Sequence, residues 1–255
     1  MKPQPQRQRH PVATAVGVTA VALVAGSTIP LLPRRARSTA NLVATAAAIG
    51  LAVRGGLGAD DLGCAPVELA AGARTGGAVA GAATALVAGS VGVPRTRGLF
   101  ADARVTDASR ARAAYELLVR IPFTTALTEE LLFRGAVLGA WRRAVGTPAA
   151  VAISSAAFGV WHVLPALESH THNPAGARIS ARAGGRPAHV LGTVAATAAA
   201  GVGFALLRLR SRSVAAPVLA HAAVNQLGYA AARWADGRPA GLPATSPSAP
   251  AGTSP

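Results

Sequence analysis

Two adjacent carboxylates, Glu129 and Glu130, stand in an apolar run from Ile121 to Ala140, in a chain of 255 residues with only 10 acidic ones. An ionised carboxylate in hydrocarbon costs at least ~2.5–3.5 kcal/mol. A sequence carries that cost where the pair has partners, sits in a water-filled cavity, or does chemistry. Arg134 follows Glu130 by four residues, so the two share a helix face, while Glu129 points ~100° away. Two other apolar segments each carry a histidine: His162, four residues after Phe158, and His221, four residues before Asn225. A carboxylate beside an imidazole can hold a water molecule and take its proton. A second imidazole and an amide can donate hydrogen bonds to the oxyanion of a tetrahedral intermediate. Peptide hydrolysis without a serine or cysteine nucleophile is within reach of this set. Glu129, His162 and His221 could equally hold zinc. The His-Glu-x-x-His spacing of the common zinc proteases is absent.

These groups can meet only if separate helices bring them together, and the composition calls for helices in a membrane. Hydrophobic residues make up 51% of the chain and charged ones 14%, with 4% aromatic, against ~25% charged in an ordinary soluble protein. Alanine, glycine and valine supply most of the apolar character, which suits closely packed helices. The expected fold is all-α: a polytopic transmembrane bundle of about eight helices, two or three of them short. A basic tail (1–11) precedes an apolar run from Val12 to Leu32, long enough to read as a first transmembrane helix instead of a signal peptide. A short helix at about 39–53, a Gly/Ala-rich helix at 76–93 and a basic linker (94–112) complete an N-terminal part spanning 12–111. In the 76–93 helix, Gly77-x-x-x-Gly81 is a spacing that permits close packing. Pro122 is expected to end or kink one helix, with a second carrying the glutamates to Trp141. Further helices are expected at about 148–167, 188–208 and 213–233, closing a membrane domain at 112–233. The Pro-, Ala- and Ser-rich stretch 234–255 reads as a disordered tail.

The net charge of +15 does not indicate nucleic acid. The arginines gather in short loops between apolar segments, as beside anionic headgroups, and they are not interleaved with aromatic residues. Both alternating sets of loops are basic, so loop charge leaves the orientation open. One cysteine, Cys64, excludes an internal disulfide and a cysteine-based zinc site. Near-total use of arginine over lysine points to a GC-rich bacterial genome, and so to a multi-pass protein of the bacterial plasma membrane. His10, His170, His172 and His189 read as tail, loop or helix-start residues without chemistry.

Three motifs carry a resemblance. Glu129-Glu130-Leu-Leu-Phe-Arg134, Phe158-Gly-Val-Trp-His162 and His221-Ala-Ala-Val-Asn225 match, in order, Glu-Glu-x-x-x-Arg, Phe-x-x-x-His and His-x-x-x-Asn. Over about 112–232 the chain resembles the CAAX-protease and bacteriocin-processing family of intramembrane proteases, also called the type II CAAX prenyl endopeptidase or Abi family. The resemblance implies an eight-helix bundle with a cavity open to the cytosolic leaflet. It implies that Glu129 activates water, that His162 orients it or shares the proton, and that His221 and Asn225 form the oxyanion site. Glu130 and Arg134 would then support that geometry, and Phe158 would pack or line the substrate groove. Members are often called metalloproteases; the residues suit a metal-free mechanism as well, and no cofactor is expected to be required.

The leading expectation is therefore an intramembrane endopeptidase acting on a peptide or a membrane-associated protein. A non-catalytic reading competes with it: a binding or bacteriocin-immunity-type protein using the same cavity. In that case Glu130–Arg134 is a bundle-holding ion pair, and the histidines make interhelical hydrogen bonds worth ~0.6 kcal/mol each. A proton-coupled transporter would call for internal repeats, and the sequence has none.

Overall fold

The computed structural model describes residues 10–93, 102, 105, 108–172, 177 and 180–235. Arg95, Arg97 and Arg104 of the basic linker, the tail before His10 and the tail after Ala235 lie outside the described residues. Among the described residues there are eight main helical segments and no strand. They are α1 (Pro11–Thr28), α2 (Arg34–Arg54), α3 (Pro66–Gly92), α4 (110–145), α5 (Thr147–Trp161), α6 (Val163–Ser169), α7 (Arg186–Ser211) and α8 (Ala215–Ala235). The protein is an all-α membrane bundle. Among the described residues four stretches are long and apolar enough to cross a bilayer: Pro11–Leu31, Arg34–Arg54, Thr147–Ser169 and Arg186–Ser211. Helix α8 falls short of that composition because His221, Asn225 and Gln226 dilute its apolar content.

Helix starts follow from the sequence. α1, α3, α5 and α7 each carry proline in the first turn, where a missing N–H costs nothing. The Ser109 side chain caps α4 by accepting from the Arg112 backbone N–H. Between α4 and α5, Gly146 adopts φ +84°, a left-handed conformation that glycine reaches without strain, so the chain reverses within one residue. Two helices begin earlier than expected, α2 at Arg34 and α3 at Pro66. Arg34 and Arg35 are exposed, so helix continues through them without burying charge.

Small residues set the packing, at positions other than the noted pair. No described atom lies within 4 Å of where a Cβ on Gly77 or Gly81 would stand. The contact face is one residue earlier in register: a Cβ on Gly72 would meet Ser213 at 2.4 Å, and one on Gly76 would meet the Ala216 carbonyl at 2.6 Å. A one-residue shift turns a helix by ~100°, so the second pair looks away from α8.

Helix α4 does not end at Pro122. It runs on as α-helix through Arg110–Tyr115, Leu127–Glu130 and Leu138–Val145, and as wider π-helix through Glu116–Ala126 and Leu131–Val137. In an i→i+5 ladder the Leu117 carbonyl would take its hydrogen from residue 122, which is proline. Gln226 Nε2 of α8 donates to that carbonyl instead, at 2.6 Å. From the other side α2 braces the same segment: Asn41 Nδ2 donates to the Thr124 carbonyl and Thr45 Oγ1 to the Thr128 carbonyl, each at 3.2 Å. Gln226 thus replaces the donor that the proline removes, and the widened helix delivers both glutamates to the interior. Gln226→Leu should lower stability by ~1 kcal/mol, the order of cost of leaving a half-buried carbonyl unpaired. Denaturant unfolding in detergent would measure it, and an unchanged midpoint would count against the brace.

The expected helix at 148–167 breaks at His162, whose φ −88°, ψ 3° separates α5 from α6. Pro165 is the cause. Its ring would clash with the Trp161 carbonyl four residues back and it offers no N–H to that acceptor. Cys64 lies half-buried in the connection between α2 and α3. Burial pushes its thiol up, only partly offset by the nearby Arg208 charge. Maleimide labelling at pH 8 should therefore run at least about tenfold slower in the folded protein than in SDS, since the thiolate is the reactive form.

Candidate active site

The centre forms where α4, α5, α7 and α8 meet. From α4, Glu130 and Arg134 are both fully buried, with Arg134 Nη1 donating to Glu130 Oε1 at 3.0 Å. From α8, His221 Nδ1 reaches the same oxygen at 2.8 Å. An ionised carboxylate only accepts, so Nδ1 carries the hydrogen and neutral His221 keeps its lone pair on Nε2. That nitrogen lies 4.0 Å from Glu129 Oε2. Glu129, at 7% exposure, and His221, at 5%, are both buried.

Three of the chain's five phenylalanines enclose the cation. The Arg134 guanidinium carbon lies 4.1 Å from the Phe158 ring centroid, 5.2 Å from Phe204 and 6.0 Å from Phe133. Cation–π attraction grows when the pair is desolvated, so this cage helps hold a guanidinium among apolar helices. Phe204 also stacks on His221 with centroids 5.1 Å apart and planes at 18°. Phe158 meets the edge of the same imidazole at 6.0 Å. On α7, Gly201 leaves room for the arginine: a Cβ there would stand 3.2 Å from Arg134 Nη2.

His162 comes from the α5–α6 break. Its Nδ1 pairs with the Phe158 carbonyl at 2.8 Å and its ring packs on the Phe158 ring at 4.6 Å. Since a carbonyl only accepts, Nδ1 donates and Nε2 is the free acceptor of the neutral ring. Asn225 lies one turn beyond His221 on α8, half-buried, and its side-chain amide makes no hydrogen bond among the described residues. Several buried polar atoms at the centre likewise have no protein partner: Glu129 Oε2, Glu130 Oε2, Arg134 Nε and Nη2, and Ser155 Oγ. Buried polar groups are normally paired, with protein or with water. These unpaired atoms gather where α4, α5, α7 and α8 meet.

The imidazole placed beside both glutamates is that of His221. Phe204, Gly201 and Ser155 belong to the centre although the sequence reading did not name them. Phe204 is the lone aromatic residue of an Ala/Gly-rich helix, which sets it apart in α7 without placing it at the centre. The other histidines stand apart: His189 Nε2 pairs with Ser169 Oγ at 3.1 Å, and its ring lies 5.0 Å from that of His170. Among the described residues no three His, Cys, Asp or Glu side chains gather closely enough to hold a metal ion. His221 and Glu129 approach one another, but His162 does not close a three-donor set with them.

Fold and site together define a helical membrane protein with a desolvated Glu/Arg/His centre. Residues 112–227 match the family described as type II CAAX prenyl endopeptidase Rce1-like. Over that segment, from Arg112 to Leu227, the chain is similar to this family of CAAX-type intramembrane proteases, and the segment contains every residue of the centre. No curated protein and no solved structure matches the chain.

Proposed function

We propose that the protein is an intramembrane endopeptidase of the plasma membrane in which Glu129 activates a water molecule, without a metal, against a peptide bond of a membrane-associated protein or peptide. The observation that supports this most directly is the pairing of a partnerless buried oxygen, Glu129 Oε2, with His221 Nε2 at 4.0 Å. A separation beyond direct hydrogen bonding is one that a bridging water suits. Such a water gives one hydrogen to Glu129 and the other to His221 Nε2, and turns a lone pair toward the substrate carbonyl. As the O–C bond forms, Glu129 takes the first proton. The oxyanion receives a hydrogen bond from the Asn225 amide. The C–N bond then breaks and the proton passes to the leaving amine, with His162 Nε2 as a second acceptor on that route.

Glu130 and Arg134 act through His221. Glu130 fixes the imidazole tautomer and orientation, and Arg134 holds Glu130 in place. Membrane fractions carrying wild type and Glu129→Gln, compared by proteomics, test the reading. A fragment formed only with wild type, with its intact precursor accumulating in the variant, is the expected result. Identical fragment patterns would leave the centre as a binding site, the immunity-type alternative.

A further inference from the structure

A second polar site lies away from the glutamates, in a cavity of about 460 Å³ lined by Arg34, Arg35, Ser38, Arg112, Tyr115 and Arg120. Its position in the membrane follows from the chain. Arg34 and Arg35 open the second of two successive stretches able to cross a bilayer, Pro11–Leu31 and Arg34–Arg54, which places the cavity at a headgroup level. Tyr115, whose ring is apolar and whose tip is polar, is a residue type enriched at that depth.

The charges are arranged and not merely accumulated. Glu116, at 5% exposure, pairs with Arg112 Nη2 at 2.6 Å and with Arg120 Nε, tying both guanidinium groups to one buried carboxylate. Arg34 has a looser contact with Glu168 at 3.8 Å. Arg35 is exposed and pairs with no carboxylate among the described residues. Four arginines thus face two carboxylates, and the cavity keeps a positive excess together with N–H donors not used in those pairs. Guanidinium forks match phosphate oxygens in geometry. Next to the cavity, α4 continues with Leu118, Val119 and Phe123 exposed at 67%, 43% and 56%, an apolar flank suited to acyl chains.

We propose that this cavity binds a phosphate group, presented in the membrane as the headgroup of an anionic phospholipid whose chains lie along the 118–123 face of α4. Basic pockets between membrane helices bind anionic headgroups in this way. The site is distinct from the hydrolytic centre: Arg120 precedes Glu129 by nine residues, ~13 Å along a helix.

Full-length protein in nanodiscs of equal phosphatidylglycerol and phosphatidylcholine, released for native mass spectrometry, tests the proposal. Wild type should retain phosphatidylglycerol preferentially. Arg35→Gln, which breaks no ion pair, should lower that enrichment about fivefold, and Arg34→Gln/Arg35→Gln further, at roughly one such factor per arginine. Arg74→Gln, an exposed arginine of α3, should retain the wild-type preference. Inorganic phosphate supplies the second arm. Displacement of the lipid by phosphate alone identifies the phosphate group as sufficient, whereas retention shows that headgroup and chains are recognised together. Equal enrichment in wild type, Arg35→Gln and the double variant would overturn the site.

Discussion

Glu129→Gln is expected to insert, fold and hold the Glu130–Arg134–His221 contacts, yet to lose hydrolysis by ~10²–10⁴-fold, the usual contribution of a positioned general base. The substitution nearly preserves shape. It removes no contact either, because the carboxylate oxygen nearest His221 has no hydrogen-bond partner in the folded protein. What disappears is the ability to take a proton from the bridging water. The loss should therefore fall on kcat, with KM little changed, as for an interaction made only in the transition state. Single-turnover cleavage in nanodiscs, using the precursor that accumulates in the variant, gives both numbers. A rate within threefold of wild type would remove Glu129 from the mechanism and leave His162 or His221 as the base.

The parts of the site that sequence could reveal were those written as spacing along one helix. Glu130 and Arg134 are four apart and pair in the structure; His162 and the Phe158 carbonyl, also four apart, do the same. Helix content and the order of the segments were equally legible, because apolar runs bounded by proline, glycine and arginine state them directly. What spacing could not state is how helices rotate against each other. That rotation sets which imidazole meets which carboxylate, and it places His221 against Glu129 and Glu130. It also makes Gly72 and Gly76 the packing face in preference to Gly77 and Gly81. Two prolines act locally in ways their neighbours decide. Pro165 announced the break at His162. Pro122, expected to end or kink the helix, does not end it, because Gln226 repairs the ladder from α8. Phe204 becomes a site residue only through tertiary packing, since nothing in α7 itself distinguishes a ring that covers Arg134 from one that faces lipid.

Replacing Glu130 with alanine should be the most destabilising change at the centre, about 3–5 kcal/mol, because it strands a fully buried guanidinium without its counter-charge. The aromatic cage cannot make up the difference: a desolvated cation–π contact is worth ~2 kcal/mol and is present before and after the change. Stability loss alone would not separate a strut from a positioning residue, and a double variant does so. Glu130→Leu/Arg134→Met removes both charges and refills their volume. Buried ion pairs exchanged for packed apolar side chains are often neutral or stabilising, so its unfolding midpoint in detergent should return close to wild type. Hydrolysis should not return with it. His221 would have lost the carboxylate that holds its Nδ1–H at 2.8 Å, and with it the tautomer and angle that set Nε2 toward Glu129. A stable, active double variant would reduce Glu130 to a counter-ion. Stability regained with hydrolysis still absent assigns the two glutamates separate tasks, one taking the proton and the other aiming the imidazole beside it.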